Sequence, residues 1–120
     1  MKIRIKGNTI RYRLTKSDVE TFCSTGFLSE KTAFATTPFS YELIAKEGIS
    51  QLEADYTNNT ITLYFPKADT KDWATNETVG FENIHTTSAG DAISILIEKD
   101  FICMDQTLED QANHYPNPKL

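Results

Sequence analysis

The first fourteen residues alternate charged and apolar side chains on either side of a glycine–asparagine pair, and this pattern constrains the fold most strongly. Gly7-Asn8 can form a two-residue turn because both residue types tolerate positive φ. With that turn, the flanking residues form a β-hairpin whose directly opposed pairs are Ile5–Ile10, Ile3–Tyr12, Arg4–Arg11 and Lys2–Arg13. Because side chains alternate between the faces of a strand, the apolar pairs share one face and the cationic pairs share the other.

The charge of the chain is unevenly distributed. The formal net charge is −5, yet the first sixteen residues contain half of the twelve basic residues and no acid. Like charges placed directly opposite on a sheet destabilise it by a few tenths to about 1 kcal/mol per pair. A negative group is therefore expected beside the cationic face of the hairpin, which consists of Lys2, Arg4, Lys6, Arg11 and Arg13.

Three explanations of the cationic face are open, and the first is favoured because the other strands offer many acids. Acids on neighbouring strands can form an internal ion-pair lattice, and the candidates are Glu42, Glu53, Asp55 and Glu98. An anionic ligand or partner can supply the charge instead, because the planar guanidinium of arginine suits phosphate and carboxylate. The face can also be solvated, with no partner. If an anionic ligand supplies the charge, the five cations of the hairpin are the predicted ligand-binding residues.

The segment after the hairpin predicts the main helix, at about 16–25. Thr15 is a suitable N-cap, Asp18 can close a capping box, and Gly26 stands where a left-handed C-terminal cap belongs. Further strands are expected at about 27–35, 39–47, 77–84 and 92–101, with a second hairpin at about 51–65 that turns at Asn58-Asn59.

These elements indicate an α+β fold in a single domain, at about 1–105. We expect an antiparallel sheet of about six to eight strands, twisted or barrel-like, that packs the main helix and a short helix at about 67–74 against its apolar side. The short helix carries Trp73 inward. Residues 92–97 are apolar on both faces, which is typical of a central strand, and closure of the sheet would set the first hairpin beside it. Residues 106–120 are polar and form a C-terminal tail.

Few residues outside the hairpin are candidates for catalysis or metal binding. An acidic cluster lies late in the chain and consists of Glu98, Asp100, Asp105, Glu109 and Asp110. Its oxygen atoms could hold Mg²⁺ or Ca²⁺, but a solvated acidic end is the simpler interpretation. Cys103 with His85 or His114 offers a nucleophile and a base, but no third orienting group is evident and a packed thiol is favoured. The sequence contains no phosphate-binding glycine loop, nucleophile elbow or zinc motif. We therefore predict no catalytic residue, no metal and no cofactor.

The sequence also bears on location. Cys23 and Cys103 lack metal-type spacing and are typical of free thiols in a reducing compartment. The start lacks the apolar stretch of a signal peptide, and no apolar run approaches the ~20 residues that span a bilayer. A cytoplasmic protein without membrane association is predicted, and the net negative charge disfavours a general nucleic-acid binder.

Several stretches of the chain carry a resemblance to known proteins. They are Lys2–Leu14, the Thr15-Lys-Ser helix start, Val79-Gly80-Phe81-Glu82, the late Ile97–Cys103 and the asparagine–proline ending. Together they are similar to a family of short bacterial proteins of unknown function. The resemblance covers nearly the whole chain and implies a bacterial, cytoplasmic, single-domain protein, with no activity, ligand or catalytic residue attached to it.

Three functional hypotheses follow. The first is a non-catalytic binding or accessory module whose basic strand face meets an anionic small molecule, an RNA segment or an acidic partner protein. The second is a small enzyme acting on a phosphorylated or carboxylated substrate, with Glu53, Asp55 or Glu98 as acid, base or metal ligand. The third is a structural or oligomerising protein. The charge asymmetry favours the first hypothesis.

Overall fold

The computed structural model describes residues 1–101, which form eight β-strands, one α-helix and a short 3₁₀ helix. In chain order the elements are β1 (Lys2–Lys6), β2 (Thr9–Leu14), α1 (Lys16–Thr25), β3 (Phe27–Thr32), β4 (Phe39–Lys46), β5 (Glu53–Thr57), β6 (Thr60–Pro66), the 3₁₀ helix (Lys67–Thr70), β7 (Gly80–Thr86) and β8 (Ala92–Lys99). The predicted polar tail, 106–120, lies outside the described residues.

The strands form two four-stranded sheets. Sheet A has the order β1-β2-β8-β7 and sheet B the order β3-β4-β6-β5. The pairs β2–β8 and β4–β6 are parallel, and the other strand pairs are antiparallel. The predicted α+β class is therefore confirmed, with the strands divided between two sheets that, within residues 1–101, do not close on themselves. A sheet with one apolar face needs a second layer to cover it, and one ten-residue helix is too short to do so.

Both predicted hairpins are confirmed, together with their register. The first turns at Gly7, whose φ is 54°, and its four predicted pairs all form. The second turns at Asn58 and Asn59, whose φ values of 52° and 58° match a turn that needs positive φ at both central positions. β8 lies between β2 and β7, so the prediction of a central last strand is also confirmed.

Helix α1 begins and ends where the sequence predicts. Thr15 accepts a hydrogen bond from the Asp18 backbone amide, and the Asp18 carboxylate accepts one from the Thr15 amide. Gly26 has a φ of 77° and closes the C-terminus. Val19 and Phe22 are buried against the sheets. No helix in the described part of the chain is long and apolar enough to cross a membrane.

An aromatic cluster fills the core at the end of the molecule that α1 covers. The predicted short helix is a 3₁₀ helix followed by turns, and Trp73 points inward from it, fully buried. Its ring centroid lies 5.2 Å from that of Phe65 and 5.4 Å from that of Phe81. Phe22 meets Phe65 edge-on at 5.2 Å. These contacts join α1, both sheets and the segment after β6.

Tyr12 joins the two sheets through a polar contact inside the core. It lies on the inner face of β2, and its hydroxyl donates to the carbonyl oxygen of Glu42, 3.0 Å away, in sheet B. Burial raises the pKa of Tyr12 far above its usual value, so the group stays a neutral donor. The inner faces of both sheets thus form one core.

Candidate functional site

The outer face of sheet A carries all five cations that the sequence proposes for ligand binding. Lys2, Arg4 and Lys6 come from β1, and Arg11 and Arg13 come from β2 directly opposite. We call this surface the basic face. Its far side is built by β8 and β7, which contribute Ser94, Leu96, Glu98 and Glu82. The hairpin register therefore gathers the charges as predicted.

Part of the counter-charge is internal. Glu98 pairs with Arg13 across the parallel β2–β8 ladder, and its Oε1 accepts from the Nε of Arg13 at 2.9 Å and lies 3.5 Å from the Nε of Arg11. The Nζ of Lys2 lies 3.4 Å from a carboxylate oxygen of Asp100. Strand β8 thus brings acids beside the hairpin, as the lattice hypothesis requires.

The other three acids proposed for that lattice lie elsewhere. Glu42, Glu53 and Asp55 belong to β4 and β5 in sheet B. The carboxylate of Glu42 accepts from the hydroxyl of Thr62 at 2.8 Å, and that of Glu53 accepts from Lys46 at 3.4 Å. Strand order decides which acids can meet the basic face, and of that order the sequence predicted only that the first hairpin lies beside the last strand.

Arg4 and Lys6 are not neutralised by this network. Neither residue has an ion-pair partner among residues 1–101. Together with Arg11 they border a shallow concavity of about 250 Å³ over β2 and β8, with Glu82 on its opposite wall. Three donor side chains therefore surround an open space that is large enough for a small anionic group.

Replacing Glu98 by glutamine is expected to lower the free energy of unfolding by about 1–2 kcal/mol, because Arg11 and Arg13 then lose the negative charge that they share. The Glu98 side chain is only 18% exposed and that of Arg13 is 45% exposed, so solvent screens the pair in part. Glu47→Gln is the matched control: Glu47 pairs with Lys67 but is 81% exposed, and less than about 0.5 kcal/mol is expected. Urea unfolding of both variants measures the difference, and equal losses would contradict the assignment.

A larger cavity, which the sequence did not predict, lies between the sheets at the end remote from α1. It has a volume of about 560 Å³. Sheet A and sheet B face each other across it through Ile5, Ile10, Ile93, Phe39, Tyr56 and Ile61. We call this space the end cavity. Its apolar side chains follow ordinary strand alternation, so no sequence signal separates them from core residues.

A partly buried ion cluster anchors the start of β1. The Met1 ammonium lies 2.9 Å from Asp18 and 3.0 Å from Glu30. Desolvation lowers the pKa of this ammonium, but the two carboxylates outweigh that effect and leave it raised. Desolvation likewise raises the pKa of Asp18, and the hydrogen bonds from Met1 and Thr15 outweigh it and leave it lowered. All of these charges are mutually paired, so the cluster is structural.

The carboxylates that the enzyme hypothesis names as acid, base or metal ligand do not lie together in one sheet. Glu98 lies in sheet A, whereas Glu53 and Asp55 lie in sheet B. Residues 1–101 contain no group of three or more His, Cys, Asp or Glu side chains that could hold a metal ion. The other residues proposed for chemistry, which lie outside the described residues, are Cys103, Asp105, Glu109, Asp110 and His114. Burial raises the pKa of the Cys23 thiol, as expected of a packing residue.

Together, these features define a small two-sheet α+β domain with a basic outer face and an apolar end cavity. The chain belongs to a family of unknown function (DUF7009), whose family model matches residues 1–119. This match confirms the resemblance to a family of unknown function. No curated protein and no solved structure matches the chain.

Proposed function

We propose that the protein is a non-catalytic binding module that takes an anionic small molecule on the basic face. One observation carries the proposal: Arg4 and Lys6 lack ion-pair partners within residues 1–101 and border, with Arg11, an open concavity. Like charges gathered on one sheet face destabilise it, and an anion bound among them relieves that repulsion.

The chemistry of the concavity favours a phosphate or carboxylate group. Arg4 and Arg11 face each other across the β1–β2 ladder, and two guanidinium groups supply paired donors that suit such planar or tetrahedral oxyanions. Lys6 adds an ammonium group two residues along β1, on the same face. The wall opposite these donors carries Glu82, which repels an extended polyanion. A compact anion therefore fits better than a nucleic-acid backbone.

Binding of pyrophosphate is expected to weaken at least about tenfold in Arg4→Gln and in Lys6→Gln, because each loses one charge-assisted hydrogen bond. Isothermal titration and backbone amide shifts measure the affinity and the location of the probe. Lys31→Gln is the control, since Lys31 is an exposed lysine in sheet B and does not line the concavity. Its affinity should equal that of the wild type.

Weaker pyrophosphate binding must be distinguished from unfolding of the variants. Both substituted side chains are exposed, so the circular dichroism spectrum and the unfolding midpoint should match those of the wild type. Unchanged pyrophosphate affinity in the folded variants would contradict the proposal, as would amide shifts confined to sheet B. Neither the enzyme hypothesis nor the oligomer hypothesis has a comparable observation in its favour.

We also propose that the protein acts in the bacterial cytoplasm. The described cysteine, Cys23, is a free thiol packed against the core, which is typical of proteins from a reducing compartment. Phosphorylated and carboxylated metabolites are common there. Cell fractionation with an epitope-tagged protein tests the location, and recovery outside the cytoplasmic fraction would contradict it.

A further inference from the structure

We propose that the end cavity is a second binding site, which takes an uncharged aromatic small molecule bearing one N–H or O–H donor. The inference does not depend on the basic face. The two sites lie on opposite faces of sheet A, since Arg4 and Lys6 point away from the core whereas Ile5 points towards sheet B. A ligand in one site therefore does not touch the side chains that form the other.

The shape of the cavity follows from how the two ends of the core are filled. At the end covered by α1, the rings of Phe65, Trp73 and Phe81 pack together and occupy the space between the sheets. At the opposite end, sheet A presents branched aliphatic side chains such as Ile10 and Ile93, which are too short to close the gap. The remaining volume of about 560 Å³ lies within the range of roughly 300–1,000 Å³ that small-molecule sites occupy.

The charge of the lining excludes anions. Asp55 borders the cavity, and no lysine or arginine within residues 1–101 does. Desolvating a negative ligand among apolar side chains costs free energy that no nearby cation offsets. This is the reverse of the basic face, so the two sites select different chemical classes.

Aromatic side chains favour a planar ligand. Phe39 lies on the wall formed by sheet B, and Tyr56 stands at the mouth with 60% of its surface exposed. Rings at these two positions can pack against a flat molecule by edge or by face, which contributes about 0.5–1.5 kcal/mol per ring pair beyond simple burial. An exposed tyrosine at a cavity mouth costs little to cover because its side chain has few rotatable bonds.

His85 supplies the polar contact that orients such a ligand. It lies opposite Ile93 on the inner face of β7 and lines the cavity. Within residues 1–101 its imidazole makes no hydrogen bond. A neutral imidazole has one acceptor nitrogen, so a ligand N–H or O–H directed at His85 finds a partner that the protein does not supply.

The test uses indole as the probe, because indole is uncharged, planar and carries one N–H donor. Saturable amide shifts are expected at the inner residues of β1, β5 and β7 when indole is titrated into the full chain. 1-Methylindole lacks the donor and indole-3-acetate adds a negative charge, and both should bind at least about fivefold more weakly. Equal affinity for all three probes would overturn the proposal.

Two variants probe the site itself. Ala54→Phe places a ring inside the cavity and should abolish indole binding, whereas Tyr56→Ala removes the exposed ring and should weaken it about fivefold. Phe34→Ala is the matched control, because Phe34 is similarly exposed at 62% but does not line the cavity. Tyr56→Ala keeps the test decisive if Ala54→Phe does not fold.

Two further outcomes would count against the site. If folded Tyr56→Ala binds indole as tightly as the wild type and Phe34→Ala binds it more weakly, indole binds outside the end cavity. Sedimentation that shows a dimer dissociated by Tyr56→Ala would mean that a second copy of the chain covers the cavity, and the small-molecule proposal would then be wrong.

Discussion

Trp73→Ala is expected to lower the free energy of unfolding by about 3–5 kcal/mol. Trp73 is fully buried, and its ring packs against Phe65 and Phe81. Its Nε1 also donates to the carbonyl oxygen of Thr78 at 2.9 Å. Alanine would leave a large void and an unpaired carbonyl in a domain whose total stability is of order 5–15 kcal/mol.

Equilibrium unfolding in urea, followed by far-ultraviolet circular dichroism, measures this loss without relying on the single tryptophan as a probe. Trp73→Phe separates the two contributions, because it keeps a ring in the cluster and removes the hydrogen bond. A loss of about 1–3 kcal/mol is expected for that variant. Should Trp73→Ala unfold at nearly the wild-type urea concentration, the aromatic cluster does not hold the sheets together.

The hairpins were predictable because their determinants are local. The turn at Gly7 and the alternation on either side of it fix which residues oppose each other, and a shift of one residue would turn Ile3 and Ile5 to the solvent. The same reasoning applies to the pair Asn58 and Asn59, whose positive φ values few other residue types adopt at so little cost. Local sequence thus decides both registers.

The division into two sheets was not predictable in the same way. Residues 92–97 are apolar on both faces, which indicates a central strand, but the pattern does not state which strand lies on each side. The parallel β2–β8 pair joins segments about eighty residues apart, and no turn chemistry connects them. The end cavity depends on this arrangement, because Ile10 and Ile93 face Tyr56 only once the sheets are stacked.

The basic face was predictable from the sequence only in part. Its five cations are a consequence of the hairpin register and were predictable. The choice of Glu98 among the four candidate acids depends on strand order, so sequence reasoning could offer only a set. That choice matters for function: Glu98 holds Arg11 and Arg13 and leaves Arg4 and Lys6 at the concavity.

Gly80→Val is expected to lower the free energy of unfolding by about 3 kcal/mol, because β7 and β8 approach too closely at this position for any side chain. A Cβ atom on Gly80 would lie 2.6 Å from the carbonyl oxygen of Ile97 and 2.8 Å from the Cβ of Glu98. Its nearest neighbour belongs to the backbone of a central strand, so it cannot rotate away. The start of β7 would have to separate from β8.

Thr86→Val is the matched control, since it introduces the same side chain at the exposed far end of β7 and should change stability by less than about 0.5 kcal/mol. The Gly80 variant should also disturb the basic face, because Gly80 opposes Glu98 directly. We expect amide shifts at Arg11 and Arg13 in Gly80→Val and none in Thr86→Val. Wild-type stability in Gly80→Val would show that the two strands can separate locally at no cost, and the position of Glu98 would then not depend on this glycine.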